Sequence, residues 1–63
     1  MLNWNVRATH KSGDNFKYVH ESYRRKADAI RYAKELKRSG EYEGILVCAD
    51  DGREILDETE MNF

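Results

Sequence analysis

The side chains with most chemical reach are one thiol, Cys48, two imidazoles, His10 and His20, two pairs of adjacent acids, and a run of cations from Arg24 to Arg38. Cys48, His10 and His20 are the soft metal ligands, and their positions match none of the spacings by which zinc sites are read. A Cys–His nucleophilic pair is no better supported, because Cys48 sits in the apolar run "EGILVCAD" and reads as a small strand hydrophobe. The acid pairs Asp50 with Asp51 and Asp57 with Glu58 are neighbours in a turn or on opposite strand faces, so they do not converge on one substrate atom. Turn chemistry and solvation account for them, and "DDG" lacks the alternate oxygens of a calcium loop. Glycines 13, 40, 44 and 52 each fall at a turn or element boundary, which leaves none for a phosphate-cradling loop. G-x-S-x-G and H-E-x-x-H are absent. The expectation is a non-enzymatic chain with no catalytic residue, no cofactor and no metal.

Binding chemistry is better represented. In "KADAIRYAKELKRSG", with Arg24 just before it, Arg24, Arg31, Lys34 and Arg38 form a candidate surface for a phosphate backbone or a protein's acidic patch. Arg7, Lys11 and Lys17 would add to it from the N-terminal third. Three features oppose a polyanion: the net charge is -1, Asp28 and Glu35 interrupt the run, and Glu35 lies four residues from Arg31, where the two can pair. No RRM-like aromatic motif or helix-turn-helix is readable. A solvated helix back is the simplest account of these charges. Protein–protein interaction is the leading function class, with nucleic-acid binding through the basic helix 24–38 as the alternative. The near-neutral total also hides an asymmetry, because seven of the eleven Lys and Arg lie between Arg24 and Arg38 while eight of the twelve acids lie from Glu41 onward.

These groups have to be positioned by regular elements. "NWNVRAT" alternates Trp4, Val6 and Ala8 against Asn5, Arg7 and Thr9, the period of a half-buried strand. "KSGDN" is a turn, and "NFKYVHES" has the aromatic and β-branched content of a second strand. Ala29, Ile30, Ala33 and Leu36, with Tyr32 at the margin, form the apolar stripe of a helix of about 14 residues. Gly40 stops it, whereas Arg24 and Arg25 stand where a capping Ser, Thr, Asp or Asn would start it best. "EGILVCAD" is a third strand, "DDG" a turn and "REILDE" a short fourth strand. The fold class is α+β: a single ββαββ domain over residues 1–60, hairpin, helix and hairpin, with the helix on one face of an antiparallel sheet. "TEMNF" ends the chain, with residues 61–63 read as a tail from which Met61 or Phe63 could dock.

Apolar residues in the later strands do not keep to one face. Phe16 and Tyr18 oppose Val19, Ile45 and Val47 oppose Leu46 and Cys48, and Ile55 opposes Leu56. One helix covers only one sheet face, and a chain of 63 residues buries just about 60% of its unfolded surface. A single cysteine rules out an internal disulfide. A homodimer is therefore expected, with Phe16, Tyr18, Leu46 and Cys48 as the candidate dimer face and strand order and register left open. "MLNWNVRATH" has no signal-peptide character and no segment suits a membrane span, so the expected location is cytoplasmic.

The pattern W-x-V (Trp4, Val6), K-x-x-A-I-x-x-A (Lys26, Ala29, Ile30, Ala33), an apolar strand (Ile45, Leu46, Val47) and D-G-R (Asp51, Gly52, Arg53) resembles short bacterial and phage proteins of the DUF2188 type. The resemblance spans most of the chain and implies a hairpin, helix and hairpin unit, with no activity attached. Phe16 stands where those chains commonly carry a second Trp, and Glu54 separates Arg53 from the apolar residue that usually follows it. The size and pattern fit a small binding or adaptor module, such as a phage or mobile-element accessory protein that blocks a host factor.

Overall fold

In the computed structural model, which describes residues 3–61, the elements are β1 (Trp4–His10), β2 (Val19–Tyr23), α1 (Lys26–Ser39), β3 (Tyr42–Ala49) and β4 (Ile55–Leu56). The sheet order is β2-β1-β3-β4, and every neighbouring pair is antiparallel. β2 and β3 thus run parallel to each other on either side of β1, and α1 is the crossover that joins them. The ββαββ order and the α+β class expected from periodicity are the observed ones.

Alternation in β1 decides which face the helix covers. Val6 and Ala8 are buried while Arg7 and Thr9 are exposed, so the apolar side of the strand turns to α1. Ala29, Ala33 and Leu36 of the helix close over Val6, Ala8, Ile45 and Val47 in one cluster. Two alanines at a spacing of four leave little side chain between helix axis and sheet, which lets α1 settle close to β1 and β3. Trp4, Val19, Tyr23, Ile30, Tyr32, Tyr42 and Leu56 pack around that centre, partly buried. Met61 joins it at only 5% exposure, so the domain extends one residue past the boundary placed at residue 60. Phe63 lies outside the described residues.

Both helix ends behave as their sequences imply. Gly40 takes a left-handed φ of 73° and donates its N–H to the Lys37 carbonyl at 3.2 Å, ending the helix. Arg25 occupies the N-cap with no side-chain capping bond. Lys26 in the first turn instead ties the helix to the last hairpin, its Nζ 2.6 Å from Glu54 Oε1 and 5.3 Å from the centre of the Trp4 ring. Lys37 in the last turn reaches Glu58 at 3.3 Å.

The β1–β3 ladder slips by one residue between Arg7 and Thr9: Arg7 faces Leu46, whereas Thr9 faces Glu43. Gly44 sits at the slip with φ of 62°, the left-handed backbone of a bulge that inserts one extra residue into β3. The slip restores the pattern beyond it. Glu43 joins Thr9 on the outer side, and Tyr42 joins His10 and packs against the core, its ring edge-on to the imidazole at 5.2 Å.

Two elements differ from the sequence expectation. β2 begins at Val19 rather than near Asn15, because Asp14 Oδ1 accepts the Phe16 N–H at 2.9 Å and winds Asn15–Lys17 into a single 3-10 turn. Phe16 therefore stands on a connection at 96% exposure and has no place in the ladder. β4 is only two residues long, since Asp51 Oδ1 holds the Arg53 N–H and Asp57 Oδ1 the Glu60 N–H, so the turns on both sides take up most of "REILDE".

Candidate functional site

The dimer face expected from sequence maps onto the sheet surface turned away from α1, with one residue removed. Leu46 and Cys48 lie half-buried on the outer side of β3, opposite Arg7 and Asn5 of β1. Ile55 pairs with Cys48 and is 55% exposed. Tyr18, 63% exposed just before β2, borders an open depression of about 520 Å³ with Arg7, Thr9, His20, Gly44 and Leu46. Phe16 is not part of this surface, because its 3-10 turn breaks the alternation that would have aligned it with Tyr18. At the other end of the face a polar line replaces the apolar one: Ser22 Oγ donates to Asn5 Oδ1 at 2.7 Å, and Asn5 Nδ2 donates to Asp50 Oδ1 at 2.9 Å.

The basic candidates divide into three and one. At 100° per residue, Arg31, Lys34 and Arg38 fall within about 60° of one another on the helix crest and span roughly 10 Å along it. All three are exposed, and none takes part in an ion pair among the described residues. Glu35 does not pair with Arg31, contrary to its spacing. Arg24 lies on the connection between β2 and α1 and so stands apart from the crest. Carboxylates flank the crest on both sides: Glu54 and Glu58, bound to Lys26 and Lys37, along one, and Asp28 and Glu35 along the other.

That second flank contains a cleft for which sequence spacing gave no signal. Tyr23 from β2 and Tyr32 from α1 bring their rings to 5.8 Å, tilted by 47°. With Asp28, Arg31 and Glu35 they line a groove of about 260 Å³ between the helix and β2. Both phenols titrate above their ordinary range. Burial is the main cause for each, and the carboxylates of Glu21 and Glu35 add to it, with the neighbouring Tyr32 and Asp28 also acting on Tyr23 and Tyr42 on Tyr32. The carboxylates of Asp28 and Glu35 line this groove together with the Arg31 guanidinium.

The soft ligands lie apart. His10 Nδ1 accepts the Ser12 N–H at 3.2 Å and contacts Ser12 Oγ at 2.8 Å, a turn role, while His20 is exposed on the outer sheet face and Cys48 lies within β3. Among the described residues no group of three or more His, Cys, Asp or Glu is placed to hold a metal ion. No helix among them is long and apolar enough to cross a membrane.

No family model matches the chain, and no curated protein or solved structure matches it. The resemblance to DUF2188-type chains rests on the quoted residues alone.

Proposed function

We propose that this chain is a small non-enzymatic binding module that works by protein–protein contact, and that the sheet face opposite α1 is where contact is made. One observation carries the reading: Leu46, Cys48 and Ile55 occupy adjoining positions, with Tyr18 across β1 from them, on a face that no element among the described residues covers. Arg7 and Thr9 of β1 lie between Tyr18 and Leu46, and His20 stands beside Tyr18, giving the mixture of apolar and polar side chains that protein interfaces use.

Pairing of two copies through this face is the simplest closure, since a two-fold axis lets one patch serve both partners. Four strands about 4.8 Å apart and roughly 17 Å long offer on the order of 350 Å² per partner. A standard interface buries about 800 Å² per partner, so the pairing is expected to depend on concentration. Light scattering over a dilution series should move from twice the 7.4 kDa chain mass toward the single mass. Leu46→Lys and Ile55→Lys should each hold the chain at the single mass with its circular dichroism unchanged. A folded monomer at every concentration would overturn self-association and leave a heterologous protein for this face.

The unpaired crest of Arg31, Lys34 and Arg38 favours a second reading, nucleic-acid binding. Binding would weaken steeply with salt, and changing the three to Glu would abolish it. The carboxylates on both flanks of the crest rank this reading below the first.

A further inference from the structure

The phase of the sheet's hydrogen bonds decides what the outer edge of β2 offers. Asp50 N–H donates to the Asn3 carbonyl at 2.9 Å, in the register that continues Trp4 opposite Ala49. Bonded and non-bonded pairs alternate along an antiparallel ladder, so Asn5 and Arg7 also direct their backbone groups to β3, and Trp4, Val6 and Ala8 direct theirs to β2. Their partners Tyr23, Glu21 and Val19 are thereby satisfied. His20 and Ser22 are left with N–H and C=O facing outward at the sheet edge, without a backbone partner among the described residues.

An added strand would bond to His20 and Ser22, and the residue between those two contacts would lie directly opposite Glu21. In the closer, non-bonded type of pair the facing side chains are about 5 Å apart. Glu21 is on the helix side of β2, next to the groove of Tyr23 and Tyr32, so the incoming side chain meets two aromatic rings and the carboxylates of Glu21, Asp28 and Glu35. Asp28 and Glu35 line the groove with a single guanidinium, Arg31, and the Glu21 carboxylate acts on both of its phenols. A second copy of the chain fits poorly, because two β2 strands paired about this point would set Glu21 against Glu21. A cationic side chain meets opposite charge and ring faces together.

Resting on the reading of the chain as a protein-binding module, we infer that the free edge of β2 is a strand-addition site for an extended partner segment carrying a lysine or arginine opposite Glu21. Backbone bonds to His20 and Ser22 supply the attachment, and the groove between β2 and α1 supplies the choice of side chain. Arg24 and Arg25, just past the strand, restrict the favourable position for that cation to the middle of β2.

The test is a titration of the ¹⁵N-labelled chain with three end-blocked heptapeptides on one valine–threonine background. The first has a central lysine, the second a central glutamate, and the third repeats the first with N-methyl groups on the amides that would face β2. The lysine peptide should shift the amide resonances of residues 19–24 and of Tyr32 and bind at least about tenfold more tightly than the glutamate peptide. N-methylation should abolish the shifts, and Glu21→Lys should reverse the preference. Equal binding of the two charges, indifference to N-methylation, or silence at residues 19–24 with millimolar lysine peptide would overturn the inference. Leu46→Lys separates the two claims: strand addition survives it, whereas pairing through the outer face does not. A chain that pairs through that face and ignores all three peptides retains the proposed function without the β2 site.

Discussion

Ile30 and Ile45 have the same side chain and unequal expected costs on truncation. Ile45 is 1% exposed at the centre of the cluster, enclosed by β1 and α1, whereas Ile30 is only half-buried on the helix flank. Ile45→Ala removes about three buried carbon groups at ~0.8 kcal/mol each, roughly 2.4 kcal/mol before any cavity is counted. A cavity that the surrounding sheet cannot close brings the total into the range of about 3–5 kcal/mol. A chain of this length has only about 3–9 kcal/mol to lose. The midpoint of thermal unfolding should therefore fall by at least about 12 °C, and the variant is expected to be partly unfolded at room temperature if the parent lies at the lower end of that range. Ile30→Ala, partly exposed and with an open side through which the gap can relax, should cost less, about 1.5–2 kcal/mol. Urea unfolding followed by the fluorescence of Trp4, the chain's one tryptophan, measures both. An Ile30→Ala cost equal to or above that of Ile45→Ala would refute the packing that places α1 over β3.

Gly44→Ala should cost about 1–2 kcal/mol through backbone conformation alone, since no atom lies within 4 Å of the added carbon, whereas deleting Gly44 should leave the chain folded, because it removes the extra residue and keeps Glu43 opposite Thr9 on the outer side; thermal unfolding followed by circular dichroism separates the two. Glu54→Gln and Glu58→Gln should each change stability by less than about 1 kcal/mol, with the difference shrinking in high salt, because both ion pairs are largely solvated. Tyr23 and Tyr32 titrate above 10.0 when folded, so their contribution is complete below that pH and is lost as pH rises through the folded values; denaturation at pH 9 and pH 11 should show this loss, smaller in Tyr32→Phe.

The parts of the fold that were legible in sequence are those where local pattern and tertiary need coincide. Trp4, Val6 and Ala8 alternate because one side of β1 is covered, and Ala29, Ala33 and Leu36 repeat because one side of α1 does the covering. Phe16 misled because aromatic content favours a strand, while a local bond from Asp14 prevailed over it. The two-sided apolar pattern of β3 was readable, and with it Leu46 and Cys48 as an outer-face pair. The slip at Gly44 was not, because glycine at a strand end looks like any boundary residue until its partner strand fixes a register. The groove of Tyr23 and Tyr32 was hidden for a similar reason, since its two rings lie nine positions apart on different elements and only the crossover brings them together.

The position of β1 also governs how the chain can assemble. The first strand of the sequence is an inner strand of the sheet, bordered by β2 from the following segment and by β3 from beyond the helix. The contact of Trp4 with Ala49 closes a loop of more than forty residues, and its entropy must be met before the core between α1 and the sheet can form. Hairpin and helix can form quickly on their own, yet until β3 arrives one edge of β1 remains bare and Val6 has no cover from Val47. Folding speed should thus be set by the docking of β3, and substitutions at Val47 should slow folding where those at Ile55 leave it unchanged. A nascent chain ended at Gly40 would hold every residue of β1, β2 and α1 and still have no stable fold.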